Sequence, residues 1–323
     1  MKINRFLVTL LALLLSVGLN AQHLGDSYRL KAVIPVEGRQ GIAIDNQYYY
    51  VSDTKALYKY TKDGTLVAKN LNPFQDPLKA NHFGDIDIFN GELYCGLERF
   101  EYGRGYNIAI SIYDAQTLEW KRDLPWNPES GQVEVSGIAV DRDREMVWMS
   151  DWIDSRYVYC YDLKTEKYHT KMQCRPTPYW CQGIFIVDGK ILFTSDDGEA
   201  QYNIPDAIYV ADLGDVLFTG LVEGREVVRE TPFSVKLDAN GEPVWREGLV
   251  AAGAQNGRVT LFREMTDFRR AGEIEGLSID PTNNDLVVLN NRGTSIILGM
   301  SQGPIAEEGY THEIHELYVY ESL

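Results

Sequence analysis

The chain is 323 residues long, 44% apolar and 24% charged, enough to bury a full core and too apolar to be disordered. It carries 31 Lys and Arg against 47 Asp and Glu, a net charge of −16. That balance excludes nucleic acid and anionic membrane surfaces as partners and leaves cations and neutral or basic ligands open.

At the N-terminus, Lys2 and Arg5 precede an apolar run from Phe6 to Leu19, which ends at Asn20-Ala21-Gln22. This is the pattern of a secretory signal peptide, residues 1–21, with cleavage after Ala21. The run is shorter than the roughly 20 residues that span a bilayer, and no later stretch approaches that length. The expectation is an exported protein, periplasmic or extracellular, with no transmembrane segment and residues 22–323 as one domain.

Along the rest of the chain period-two alternation dominates, Tyr, Val and Ile are plentiful, and turns such as Lys62-Asp63-Gly64 and Asp188-Gly189 separate short strands. One pattern recurs: a Gly, alternating apolar residues, a tight turn, and a second strand ending in an acidic or amide residue. Five copies begin at Gly41, Gly84, Gly137, Gly183 and Gly276, and their second strands end at Asp53, Glu98, Asp151, Asp196 and Asn290-Asn291. Copies three and five match over Glu134-Val135-Ser136-Gly137-Ile138-Ala139-Val140-Asp141 and Glu273-Ile274-Glu275-Gly276-Leu277-Ser278-Ile279-Asp280.

The starting glycines are spaced by 43, 53, 46 and 93 residues, the last close to two periods of about 47, the length of a four-stranded propeller blade. The spacing predicts an all-β, six-bladed β-propeller with a degenerate copy in Phe233–Leu237, a turn at Asn240-Gly241, Val244–Ala252 and Arg258–Arg263. Five blades with a long insertion in the fourth is the alternative, because that copy lacks its Gly. Tyr28–Val36 is expected to close the ring by joining the last blade beside Glu316–Tyr320, which removes an exposed edge.

Entry to an inner strand and exit from the next lie on one face of a propeller, so these residues share a rim. The candidate ligand-binding residues there are Arg39, Gln40, Tyr106, Trp152, Tyr179, Trp180, Gln182, Tyr202 and Arg292, an aromatic and polar set suited to stacking a sugar or holding a small molecule. Two rim loops look expanded and alike, Glu98–Ile108 and Asp196–Ile204. His82 is the candidate general base, with Asp53 and Glu98 as acidic partners. A blander role stands beside each assignment, since short acidic residues cap turns and aromatic residues pack blades together. His312 and His315 do not have the spacing of a helical H-E-x-x-H site, and three residues apart on a strand they point to opposite faces. Cys95, Cys160, Cys174 and Cys181 form an even set without metal-knuckle spacing. A Cys174–Cys181 bridge is favoured across a loop stiffened by two prolines, with four packed thiols as the alternative.

The segments Gly137–Asp151 and Glu273–Asn291 resemble the calcium-dependent six-bladed propellers of the gluconolactonase, senescence-marker-protein and paraoxonase-like group. Gly41–Ala43, Tyr50–Asp53 and Leu57–Tyr60 are similar to the esterase-like phytase propellers. The resemblance implies Ca²⁺ held by Glu275, Asn291, Asp151 and Asp196, with Glu37 as a spare ligand. Two functions follow: recognition of a small molecule, glycan or protein partner at an acidic, aromatic mouth, or a Ca²⁺-dependent hydrolase of lactone or ester bonds. The oligomeric state is open.

Overall fold

The computed structural model describes residues 22–152, 155–196, 205–213, 225–227, 229–231, 234–247, 256–268, 272–293 and 312–323. The signal-peptide reading of residues 1–21, Tyr202 and most of the second expanded loop lie outside them. Among the described residues no helix is long and apolar enough to cross a membrane.

β1 (Tyr28–Val36) precedes the first complete blade, built from β2 (Gly41–Ile44), β3 (Tyr48–Asp53), β4 (Ala56–Thr61) and β5 (Leu66–Asn70). The second blade holds β6 (His82–Phe89), β7 (Glu92–Glu101), β8 (Arg104–Asp114) and β9 (Trp120–Pro125), and the third β10 (Ile138–Asp141), β11 (Met146–Ser150), β12 (Tyr157–Asp162) and β13 (Lys167–Arg175). In the fourth, β14 (Cys181–Val187), β15 (Lys190–Ser195) and β16 (Ala207–Asp212) are followed by four short strands outside the blade, β17 (Arg225–Val227), β18 (Arg229–Thr231), β19 (Ser234–Val235) and β20 (Trp245–Glu247), which pair only among themselves among the described residues. Its outer strand is β21 (Asn256–Glu264), antiparallel to β16. The fifth blade is β22 (Glu273–Ile279), β23 (Leu286–Gly293), β24 (Glu313–Ser322) and β1, with Tyr28 opposite Ser322 and Val36 opposite His315. The expected ring closure by the N-terminal strand is therefore present.

The described strands group into five blades, the alternative the spacing left open, with the third and fourth joined into one eight-stranded sheet by a short parallel pairing of β13 with β21. The segment expected as a sixth contributes β21 to the fourth blade, and the 93-residue interval holds an insertion between β16 and β21. The axis leaves no room for another inner strand: a Cβ on Gly183 would lie 2.6 Å from Gly276 Cα, and one on Gly276 2.7 Å from Gly41 Cα. This close approach is the physical reason for the recurring Gly. The strand alternation serves blade packing on both sides. In β11, Val147 and Met149 pack toward the second blade while Met146 and Trp148 pack toward the fourth, and five apolar clusters fill the five blade interfaces.

All four cysteines are free and buried, so the favoured Cys174–Cys181 bridge is absent. Both thiols belong to the apolar cluster between blades three and four, where they act as small hydrophobes.

Candidate functional site

Strand register puts entry and exit residues on one rim, as the topology requires. His82 lies opposite Glu98, Cys181 opposite Ser195, and Glu273 opposite Asn291. The floor of this mouth is Asp85. In the position after the repeat's Gly the other copies carry Ile42, Ile138, Ile184 and Leu277, and only the second blade places a carboxylate there. Asp85 is fully buried; its Oδ1 accepts the N–H groups of Ile42 at 3.3 Å and Ile86 at 2.8 Å, and its Oδ2 that of Ile184 at 3.2 Å. One side chain thus ties three blades across the axis. Burial pushes its carboxyl well above the ordinary range, against the pull of those donors.

Above Asp85 one side of the mouth is built on blades two and three. His82 Nδ1 lies 2.9 Å from Glu98 Oε1, and Glu98 Oε2 accepts the Val135 N–H at 3.0 Å. Asp151 accepts the Glu134 N–H at 3.2 Å and the Tyr159 hydroxyl at 3.0 Å, while Glu134 accepts the Trp152 N–H at 2.6 Å. Burial, then the charges of Glu98 and Asp151, push the Glu134 carboxyl well above its usual range. Two buried polar atoms beside it have no hydrogen-bond partner among the described residues, the Trp152 indole N–H and Gln132 Oε1.

The other side belongs to blades five, one and four. Arg39 donates to Glu273 Oε2 at 3.1 Å and, at 3.3–3.4 Å, to Glu313; Gln182 donates to Glu273 Oε1 at 3.0 Å. Asn291 donates to Glu275 Oε1 at 2.7 Å and to the Arg39 carbonyl at 2.9 Å. Burial raises both Glu273 and Glu275, Glu275 further through Glu273 and Asp196, and Glu273 less because Arg39 opposes it. His315 Nδ1 meets Asn291 Oδ1 at 2.8 Å, and burial, then Arg39, lowers its pKa to about 4.

Most sequence-predicted residues reach the rim in different settings. His82 and Glu98 pair, whereas Asp53 faces a cleft between the first and fifth blades. Gln40 works through its backbone, its N–H bonded to the Ser52 carbonyl and its carbonyl to the Gly276 N–H. Arg292 is engaged by Glu316 at 3.0 and 3.1 Å on the strand face opposite Asn291. Tyr179 is exposed and stacks at 5.5 Å on Trp180. The first expanded loop is a continuation of the β7–β8 hairpin, with Tyr106 opposite Arg99 and Tyr102 at an exposed tip. Of the four residues implied as calcium ligands, Glu275 and Asn291 touch, Asp196 acts on Glu275 electrostatically, and Asp151 stands with Glu134 and Tyr159. Among the described residues no three His, Cys, Asp or Glu side chains are grouped to hold a metal ion.

β24 begins at Glu313, so His312 lies before the strand and the opposite-face argument does not apply; His312 and His315 line the same cleft. Asp85 and Glu134 were also missed. An Asp in a place otherwise Ile or Leu was the available signal for the first, and the match of Glu134 to Glu273 for the second.

No protein-family model matches the chain, and no curated protein is similar to it. Among solved structures it is similar to a glutaminyl cyclase of Myxococcus xanthus, with TM-score 0.50 and 8% identity over 92% of this chain and 97% of that one. The fold is shared. The WD40 repeats of RRP9 (TM-score 0.46, 11% identity, 91% and 100% covered) and U3-55K (0.45, 10%, 90% and 100%) also align.

Proposed function

We propose that this chain is an exported β-propeller that recognises a ligand at its acidic mouth, and that the ligand presents a positive charge or several hydrogen-bond donors. The observation carrying this reading is the set of carboxyl groups on one rim, the buried Glu98, Glu134, Asp151, Asp196 and Glu275 with the half-buried Glu273, above a seventh at Asp85. Arg39 offsets only part of it. Buried carboxyls with raised pKa values are costly and mark sites that exchange a proton or meet a cation. The Trp152 indole N–H and Gln132 Oε1, which have no partner among the described residues, support a ligand in the same place. Trp152, Tyr179 and Trp180 supply apolar surface beside it.

Calorimetric titration with a panel of amines, basic peptides and neutral glycans tests the reading. Peptides beginning with glutamine belong in the panel as ligands and as substrates, since a glutaminyl cyclase is among the solved neighbours. Cationic members should bind, and Glu134→Gln should weaken them at least tenfold. Binding of neutral glycans alone, unaffected by Glu134→Gln, refutes it.

A second reading, a Ca²⁺-dependent lactonase or esterase, is supported by the Glu275–Asn291 contact and the nearness of Asp196. It requires Ca²⁺ in the purified protein and a chelator-sensitive melt, since a ligand at a hundredfold excess over its Kd stabilises by about 2.7 kcal/mol. Metal-free protein with an unchanged melt overturns it.

A further inference from the structure

A second place for a ligand lies outside the axial mouth, at the seam where the ring closes. Between the first and fifth blades the rim opens into a cleft of about 560 Å³, within the span of small-molecule sites. Pro35, Val36 and Ile314 give it an apolar wall, and Glu37, Asp53 and Glu313 bring carboxylates to it.

These carboxylates stand in different company. Glu313 is engaged by Arg39 at 3.3–3.4 Å, and Glu37 faces Lys69 at 3.7 Å, both of that pair largely exposed. Asp53, half-buried at the end of β3, accepts no hydrogen bond and joins no ion pair among the described residues. An acidic residue at a strand end ordinarily caps the turn that follows. Asp45, Asp114, Asp162 and Asp280 do so in this chain, each accepting at least one N–H two or three residues on at 2.7–2.9 Å. Asp53 leaves its own hairpin turn uncapped and lines the cleft instead.

The surrounding charges select what can enter. An anion meets the carboxylates of Glu37, Asp53 and Glu313. A cation meets the Arg39 guanidinium, which Glu273 and Glu313 hold within electrostatic reach of Asp53. A neutral molecule bearing hydroxyl groups avoids both repulsions. Each O–H it gives to a carboxylate is a charge-assisted hydrogen bond, about twice as strong as a neutral one. Hydroxyl donors along one edge and C–H groups on a face, set against Pro35, Val36 and Ile314, describe a sugar ring.

We propose that this cleft binds a neutral saccharide, its hydroxyl groups donating to Asp53 and Glu37 and its C–H face lying on Pro35, Val36 and Ile314. The site is separate from the mouth and does not depend on what the mouth binds.

The test is calorimetric titration of the full mature chain with methyl glucoside, methyl galactoside, methyl mannoside and cellobiose. Saturable binding of at least one at millimolar concentration or below is expected, and the uronate and 2-amino analogues of that sugar should bind more weakly. Asp53→Ala removes a side chain that makes no hydrogen bond among the described residues, so it should melt as the wild type while weakening the sugar at least tenfold. Glu134→Gln, at the mouth, should leave the sugar bound. Absence of saturable binding across the four sugars, equal or tighter binding of either charged analogue, or insensitivity to Asp53→Ala overturns the proposal. Loss on Glu134→Gln with binding kept in Asp53→Ala would place the sugar in the mouth and overturn this site. Amine binding that responds to Glu134→Gln is read separately, so either proposal can fail while the other stands.

Discussion

Replacing Asp85 by alanine removes the acceptor for three backbone N–H groups from three blades at once. A buried donor left without a partner costs about 1–3 kcal/mol, so the three together amount to roughly 3–9 kcal/mol. The lower half of that range is expected, because a water entering the vacated space can meet one or two of the donors and because the buried carboxyl itself carries a desolvation cost that the substitution relieves. Against a total stability of about 5–15 kcal/mol that loss is a large share of what holds the fold. Asp85→Asn keeps one acceptor oxygen and turns an NH₂ toward the remaining donors, so about 1–2 kcal/mol is expected. Urea unfolding followed by tryptophan fluorescence measures both, with the midpoint shifting and the slope m unchanged if only native-state contacts are lost. An Asp85→Ala variant that loses less than about 1 kcal/mol would refute the claim that this side chain ties the blades at the axis.

Further outcomes follow from other contacts. Stability should respond to pH in two opposed ways. His315 is lowered to about 4 in the fold, against about 6.5 in the unfolded chain, so the unfolded state takes the extra proton between those values. Stability from this group falls by up to about 3 kcal/mol as pH drops through that window, and His315→Gln should remove the fall in a Tm against pH series. Glu134 and Glu275 are raised, so the native state binds protons first and stability rises as pH falls from neutral toward the ordinary carboxylate range; Glu275→Gln should flatten that rise. A double-mutant cycle on His82→Ala and Glu98→Gln should give a coupling of about 1–3 kcal/mol, and zero coupling would deny the pair. Gly276→Ala should unfold or strongly destabilise the chain, since its Cβ would meet the backbone of Gly41 and Ile42 within 2.8 Å; a wild-type melt would contradict the packing at the axis. The four thiols should resist a thiol reagent in the native protein and all react after denaturation without reductant, whereas two reacting thiols would mean a disulfide. Burial pushes the Cys181 thiol up to about 12, which slows it further.

The sequence by itself determined the all-β repeat, the position of each inner strand and the common rim. The recurring Gly, the alternating apolar residues and the acidic strand ends are local features, and each repeat writes them again. It also determined the N-terminal closing strand, because Glu316–Tyr320 lacks an outer neighbour. Blade number was decided by tertiary structure alone. Two residue spans of equal length, one a blade and one an insertion between β16 and β21, look the same to a period, and only the contact of Gly183 with Gly276 distinguishes them. The site divides in the same way. His82 with Glu98 was legible because strand pairing brings them opposite. The network of Arg39, Asn291, Glu275 and His315 was not, since it joins residues up to 252 apart through ring closure, and a side chain's proton position depends on every neighbour that closure brings to it.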